Sequence, residues 1–317
     1  MGAARQGGRI VDSDAGYARA FATITAAVLL IAFAEATHAA LPRGTRLAVV
    51  SSRGGSHQVY VTDERMEDFH LLTDGVSSTC PTWSPDGRYI AVDTAREGIN
   101  LYRPEGVKRR LKEQEFIDGS PAWSPDGQTV VYHSWRDVDP IGFYTVGVDG
   151  AGDRFLRRGS QIRLAWSPNG SRTLFRDGRD IMAMDPDGGN VAAVGPHPAS
   201  DGQPAWSPDG TEIAFISNRD GDSALYRMDA DGANPTRLHE RGRDSWPSWL
   251  SDGSAIVFAS GPELDLSDIY MVQKDGGRSD RLTAGAMAGM PTAFGPGSPA
   301  VTSTAGHSVV WAWLKGR

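Results

Sequence analysis

Seven residues of this chain, PAWSPDG at Pro204 to Gly210, recur along the sequence at nearly constant spacing. Related phrases read PTWSPDG at 81–87, PAWSPDG at 121–127, LAWSPNG at 164–170, PSWLSDG at 247–253 and, in a divergent form, PTAFGPG at 291–297. Their aromatic anchors lie 40, 43, 40, 43 and 45 residues apart and are Trp83, Trp123, Trp166, Trp206, Trp249 and Phe294. A period of about 40 to 45 residues is typical of β-propeller blades, because four short strands and their turns need that length.

The SPDG part of the phrase predicts a tight turn at the end of a strand. Proline presets φ at the second turn position, an Asp or Asn side chain bonds the backbone two residues on, and Gly takes the left-handed conformation that closes the turn. We therefore assign a structural role to the turn residues Asp86, Asp126, Asn169, Asp209 and Asp252. Apolar, β-rich runs follow these turns, for example at 89–92 and 212–215, and predict second strands buried between neighbouring blades.

The first repeat has no inner-strand phrase, although the runs at 47–50, 59–62 and 71–72 supply its other three strands. The divergent sixth phrase around Phe294 can supply the missing strand, which closes the ring with strands from both chain ends and leaves no open sheet edge. The sequence therefore predicts an all-β fold, a six-bladed β-propeller of four-stranded antiparallel blades over residues 45–297. Residues 298–317 are predicted to be a C-terminal extension that forms an extra hairpin or part of a seventh blade.

The amino-terminal segment predicts targeting. Residues 20–34 form an apolar run with Arg19 before it and small residues at 36–40 after it, which is the layout of a secretory signal cleaved after Ala39 or Ala40. The run is shorter than the ~20 residues that a membrane span needs. We therefore expect residues 1–40 to be a signal peptide and the protein to be periplasmic or otherwise exported. Because Asp12 and Asp14 lie where a basic region is expected, an uncleaved N-terminal anchor stays as the alternative.

Charge and cysteine content argue against several classes of protein. The formal net charge is -7 and no basic run occurs, which argues against nucleic-acid binding. The single cysteine, Cys80, can form no disulfide within the chain and no Cys-rich zinc site, and we expect it to be a small buried residue. No cofactor and no metal site are predicted, although a cation in the channel or in an Asp-rich turn stays open.

The repeated phrases resemble the PD40 repeats, a WD40-like family with the consensus PxWSPDG, and the set of six is similar to the C-terminal propeller of the Tol-Pal protein TolB. The resemblance covers residues 45–297. It implies a TolB-like scaffold that binds a protein partner in the cell envelope and carries out no catalysis. We expect the protein to be a monomer.

Topology predicts where a partner would bind. In an up-and-down blade the SPDG turns and the turns between the third and fourth strands share one face of the ring. The opposite face carries the second-to-third hairpins and the connections between blades, which vary in sequence, and we call it the variable face. Carboxylates in these connections are expected to surround the channel mouth and attract basic or polar partners, with two tryptophans as aromatic anchors. The predicted contact residues are Asp74, Asp118, Asp201, Asp244, Trp135 and Trp246.

Two alternatives to a partner-binding scaffold stay open at this point. In the first, the propeller is an enzyme or a ligand sensor of the polysaccharide-lyase kind, with a metal held in the channel by His197 and His239, which lie in comparable connections. In the second, it is a peptidase-derived propeller without its hydrolase domain. PD40 propellers precede the catalytic domains of prolyl-oligopeptidase-like peptidases, and no G-x-S-x-G elbow is present in this sequence.

Overall fold

The computed structural model of the chain describes residues 40–296, except for gaps at 53–54, 74, 113–116, 137–139, 160–162, 241, 263–266 and 284–288. The predicted signal or anchor segment, apart from Ala40, and the predicted extension at 298–317 lie outside the described residues. Secondary structure in the described part of the chain consists of β-strands alone. None of it forms a helix long and apolar enough to cross a membrane.

The strands fall into four sets according to their distance from the central channel. The innermost strands are β4 (Ser78–Trp83), β8 (Ile117–Trp123), β12 (Ala165–Trp166), β16 (Asp201–Trp206), β20 (Arg243–Trp249) and β24 (Gly289–Phe294). The second strands are β1 (Arg46–Ser51), β5 (Ile90–Thr94), β9 (Thr129–Trp135), β13 (Thr173–Asp177), β17 (Glu212–Ser217) and β21 (Ala255–Gly261). The third strands are β2 (Gln58–Thr62), β6 (Gly98–Tyr102), β10 (Gly142–Gly147), β14 (Asp180–Met184), β18 (Ala224–Asp229) and β22 (Asp268–Gln273). The outermost strands are β3 (Phe69–Leu71), β7 (Lys108–Arg110), β11 (Arg154–Arg158), β15 (Ala192–Ala193), β19 (Thr236–Arg237) and β23 (Asp280–Arg281).

These strands form six four-stranded antiparallel sheets, which confirms the predicted six-bladed propeller. Blade 1 has the order β24-β1-β2-β3, so its inner strand comes from the far end of the described chain. Blades 2 to 6 follow in chain order and consist of β4–β7, β8–β11, β12–β15, β16–β19 and β20–β23. In this closing pair Ala48 lies opposite Thr292 and Leu47 opposite Ala293. The prediction that both ends of the repeat region close the ring is therefore confirmed.

Each pair of neighbouring blades encloses its own apolar cluster, and the second strands supply much of it. Between blades 2 and 3, for example, Ala91 and Leu101 pack with Val130, Tyr132 and Tyr144. The cluster that joins blade 6 to blade 1 contains Leu47 and Val49 beside Val257 and Ile269. Six such interfaces bury apolar surface around the whole ring, and this burial is the main force that holds the blades together.

The SPDG turns have the geometry that their residues predict. In the first of them, Ser84 Oγ donates to Asp86 Oδ1 at 2.7 Å, and the same oxygen accepts the backbone N–H of Arg88 at 3.0 Å. The Gly87 backbone N–H donates to the Ser84 carbonyl at 2.9 Å, with φ of 68° at Gly87. The turn is thus closed by its own side chains, and it delivers the chain directly into the second strand.

Phe294 differs from the tryptophan anchors with which the sequence aligned it. Ala293 pairs with Leu47 as Trp83 pairs with Ile90, so Phe294 lies one residue beyond the tryptophan position. Its ring stacks on Trp83 with 5.4 Å between centroids and lies over Gly87. The equivalent glycine of the next blade, Gly127, has Pro85 beside it instead. At the ring closure, Phe294 therefore takes the place of the turn proline.

Candidate binding sites in the channel and on the variable face

The structure buries three of the four predicted contact acids. Asp118, Asp201 and Asp244 occupy equivalent positions near the start of their inner strands and are 2%, 4% and 2% exposed. Each has a cationic or imidazole partner: Lys112 Nζ at 3.0 Å, Arg219 Nη2 at 2.9 Å and His239 Nδ1 at 2.9 Å, respectively. These acids hold the connections and strand ends in place instead of displaying charge to solvent. The fourth acid, Asp74, lies outside the described residues, and a contact role for all four stays a prediction.

The two predicted aromatic anchors lie in different environments. Trp135, at the end of β9, is half-buried and packs edge-on against His133 with 4.0 Å between ring centroids. Trp246 lies in the central channel, where its backbone N–H donates to Gln203 Oε1. Its indole Nε1 is buried and has no acceptor among the described residues. Trp246 is thus part of the channel lining and lies away from the rim on which the sequence placed it.

The two histidines considered as metal ligands do not come together. His239 Nδ1 lies against the Asp244 carboxylate, and its ring packs 5.0 Å from that of Phe258. His197 Nδ1 accepts the backbone N–H of Ala199 at 3.1 Å within its own loop. In the described ranges, no group of three or more His, Cys, Asp or Glu side chains is arranged to hold a metal ion.

A polar cavity of about 330 Å³ opens on the variable face between blades 5 and 6. Arg176 and Asn218 lie on one side of it, and Arg243 and Ser245 lie on the other. Arg176 donates to Ser200 Oγ at 2.8 Å and to the Gly178 carbonyl at 3.0 Å, so its position is fixed. Arg243 is exposed. Asp201 is paired with Arg219 and Asp244 is buried, so the exposed charge at this cavity is that of Arg243.

Six residues with left-handed backbone conformation form a ring around the central channel, one on each inner strand or just before it. Their φ values are 50°, 54°, 90°, 51°, 56° and 54° at Cys80, Ser120, Arg163, Gln203, Trp246 and Met290. Each lies three or four residues before the end of its inner strand, and five of them lie where the pairing with the second strand shifts register. Such bulges redirect side chains, and five of the six residues, all except Gln203, line one cavity in the channel. A left-handed conformation costs a non-glycine residue about 1–2 kcal/mol, so the ring geometry imposes it at all six positions.

Between this ring and the prolines of the SPDG turns lies a cavity of about 310 Å³, which we call the vestibule. Its floor includes Cys80, Arg163 and Trp246, and its mouth includes Pro125 and Pro168. Burial raises the pKa of the Cys80 thiol to about 11, so the thiol stays protonated at neutral pH. Burial also lowers the pKa of Arg163 to about 10, so its half-buried guanidinium is charged at neutral pH.

One titratable residue that the sequence interpretation missed lies beside the channel ring. Asp93, on β5, faces the backbone of β8, where a Cβ on Gly119 would lie 2.4 Å from its Oδ2. Desolvation raises the pKa of this carboxyl group to about 7, against a hydrogen bond from the Ser120 backbone N–H that lowers it, and the charge of Asp118 raises it further. The sequence signal was a carboxylate within an otherwise apolar strand. Arg163 was also missed. The residues three positions before the tryptophans differ from blade to blade in size, charge and polarity, so no sequence pattern marks this position.

The fold and its turn chemistry define a six-bladed β-propeller built from repeats of one turn phrase. Residues 156–308, just under half of the chain, match the PD40 family model described as the TolB beta propeller domain. Over those residues the chain is therefore similar to the propeller domain of TolB. An uncharacterized protein of Agrobacterium fabrum is 26% identical over 231 residues, which cover 64% of this chain and 74% of that protein.

Comparison with solved structures supports the same fold. TolB from Acinetobacter baumannii superposes with a TM-score of 0.68 at 19% identity, covering 79% of this chain and 66% of that one. The chain therefore spans just under two thirds of that TolB. An oligogalacturonate lyase in complex with manganese is also similar, with a TM-score of 0.55 at 17% identity over 75% of this chain and 74% of the lyase. At these identities the likeness concerns the fold alone, since one propeller scaffold supports both binding proteins and enzymes.

Proposed function

We propose that this protein is an exported, non-enzymatic propeller that binds a protein partner in the cell envelope through its variable face. The observation that carries the proposal is the polar cavity of about 330 Å³ between blades 5 and 6. Clefts between repeats on a rigid scaffold are common binding sites, because the scaffold fixes the positions of the contact groups before the partner arrives.

The chemistry of this cavity indicates the kind of partner. Arginine is enriched at protein interfaces because its planar head forms several hydrogen bonds and also packs on apolar groups. Arg243 is exposed at the cavity edge, and Arg176 is held by Ser200 and the Gly178 carbonyl. We therefore expect the partner to place an acidic side chain beside Arg243. This differs from the basic partner that the sequence favoured, because Asp201 is buried in an ion pair with Arg219 and Asp244 is buried against His239.

Site-specific photocrosslinking in the cell tests the proposal. The full chain would carry a benzoylphenylalanine in place of Asn218. After irradiation the cells would be divided into envelope and soluble fractions, and the crosslinked products in each fraction would be identified. We expect one crosslinked protein in the envelope fraction. Arg243→Glu in the same background should reduce its yield at least tenfold, because the charge reversal repels an acidic partner.

Arg88→Glu is the matched control, because Arg88 is an exposed arginine beside an SPDG turn on the opposite face of the ring. It should leave the yield unchanged. A product that is insensitive to both substitutions would move the binding site away from the cavity. The absence of any product from the envelope fraction would contradict the proposed function itself.

A further inference from the structure

Arg163 reaches across the central channel from blade 4 to blade 6. Its Nη2 donates to the Pro247 carbonyl, and its guanidinium lies 5.3 Å from the centroid of the Trp246 ring. No Asp or Glu carboxylate of the described residues lies within ion-pair distance of it. Among the five residues that line the floor at equivalent positions of the ring, Arg163 alone carries a positive charge.

The floor of the vestibule has more hydrogen-bond donors than acceptors. A guanidinium has five N–H groups, and the Pro247 carbonyl is the acceptor found for Arg163 in the described part of the chain. The buried Nε1 of Trp246 likewise has no acceptor there. Donors that are shielded from water normally have partners, and a half-buried charge without a counter-charge is costly. Oxygen atoms from an anionic ligand in the vestibule would give the Arg163 guanidinium both acceptors and a counter-charge.

A purely structural role for Arg163, as a hydrogen-bonded bridge between blades 4 and 6, explains its position less well. A neutral side chain such as glutamine, which occupies the same ring position at Gln203, can also donate one hydrogen bond across the channel. Placing a full charge in this environment is destabilising unless an anion compensates it. The walls of the vestibule, by contrast, are mainly apolar, with Ala122, Ala165 and Ala205 between the tryptophans and the turn prolines.

We propose that the vestibule binds a carboxylate joined to an apolar body, with the carboxylate on Arg163 and the body against the proline and tryptophan walls. Such a group is found on a small aromatic or aliphatic acid and on the C-terminal residue of a peptide. Guanidinium and carboxylate form paired, charge-assisted hydrogen bonds, which gives both affinity and orientation. The vestibule lies towards the SPDG face, whereas the proposed partner site is on the variable face, so the two proposals can fail separately.

Calorimetric titration of the full chain tests the site with matched acid and amide probes. We expect 3-phenylpropionate to bind at least tenfold more tightly than 3-phenylpropionamide, because the amide has the same body and no charge. Arg163→Gln should remove this preference, and Arg163→Lys, which keeps the charge without the planar head, should retain part of it. Arg243→Gln is the control arginine on the variable face and should bind the acid like the native protein.

The source of the carboxylate is decided by a second pair of probes, an apolar tripeptide with a free C-terminus and its C-terminally amidated form. Tighter binding of the free tripeptide than of 3-phenylpropionate indicates a polypeptide end, and the reverse order indicates a small acid. Equal binding of acid and amide by the native protein overturns the proposal, as does the absence of binding by every carboxylate. This comparison on the native chain holds even if Arg163→Gln fails to fold.

Discussion

Trp123 of blade 3 donates its indole Nε1–H to the Thr82 carbonyl of blade 2 over 3.1 Å. The same bond joins Trp249 to Ala205 at 3.1 Å and, across the ring closure, Trp83 to Thr292 at 3.2 Å. The repeated tryptophan therefore does more than fill space, because its polar atom links the inner strands of neighbouring blades. Trp166 and Trp206 differ, because their buried Nε1 atoms have no acceptor among the described residues.

Trp123→Phe should destabilise the protein more than Trp166→Phe. Both substitutions remove similar volume, but only the first removes a hydrogen bond between blades and leaves the Thr82 carbonyl without its donor. We expect a difference of about 1 kcal/mol in the free energy of unfolding, the usual net value of one such bond. Urea denaturation followed by tryptophan fluorescence measures it, with Trp249→Phe as a second bonded position. Equal losses at Trp123 and Trp166 would show that the bond contributes nothing.

Gly87→Ala should be more destabilising than Gly127→Ala. The two glycines have nearly the same φ, 68° and 67°, so the backbone cost of about 1 kcal/mol is common to both. A Cβ on Gly87 would lie 2.3 Å from the Phe294 ring, whereas a Cβ on Gly127 would have Pro85 at 3.7 Å. We expect the clash to add about 1–3 kcal/mol at Gly87. Comparison of the two urea-unfolding curves measures the difference, and indistinguishable curves would contradict the packing of Phe294 at the closure.

The repeat period, the turn chemistry and the closure were all readable from the sequence, because each depends on local signals. The SPDG residues make their own turn, and the missing inner strand of blade 1 matched a surplus phrase at the other end of the repeat region. The register of that phrase was misassigned because the ring of Phe294 was matched to the tryptophans, whereas a residue-by-residue alignment of PTAFGPG with PTWSPDG places Ala293 at the position of Trp83. Pairing of Leu47 with Ala293 settles it.

The candidate sites were harder to predict because they depend on contacts between blades. Asp118 and Asp201 looked like loop acids, since nothing in the sequence shows that a strand begins just before them or that Lys112 and Arg219 reach them. The six residues with left-handed backbone conformation occupy equivalent positions in their blades, but their side chains differ in type, so no sequence pattern identifies them. Arg163 is noticeable only after the structure places it in a channel of otherwise uncharged lining residues.

Asp201→Asn should destabilise the protein in the absence of any partner. It removes the charge that compensates Arg219, whose side chain is 11% exposed, and breaking one side of a buried ion pair typically costs about 3–5 kcal/mol. We expect a loss of about 2–4 kcal/mol in the free energy of unfolding, because Arg219 retains some contact with water. Asp222→Asn, the same change at an exposed residue, should have almost no effect. If both variants unfold like the native protein, the Asp201 pair is not structural, and a direct contact role for the acid regains support.

Asp93→Asn should change how stability depends on pH. The pKa of Asp93 is about 7 in the folded protein and near the ordinary 3.8 in the unfolded chain, so the folded state holds this proton more tightly. The contribution of Asp93 therefore becomes less favourable as pH rises from about 4 to about 7 and is constant above that range. Asparagine cannot ionise, so the variant should gain stability relative to the native protein over the same interval. At ~1.4 kcal/mol for each unit of pKa shift, the gain at pH 8 is at most about 4 kcal/mol.

Urea unfolding of the native protein and Asp93→Asn at pH 5, 6, 7 and 8 measures this difference. Subtraction of the two profiles cancels the opposite contribution of His133, whose pKa burial lowers and whose stability contribution therefore increases as pH rises towards its ordinary value. Asp222→Asn again serves as the exposed control, and its profile should run parallel to that of the native protein. A parallel profile for Asp93→Asn as well would mean that Asp93 ionises normally, and that water reaches the carboxylate between β5 and β8.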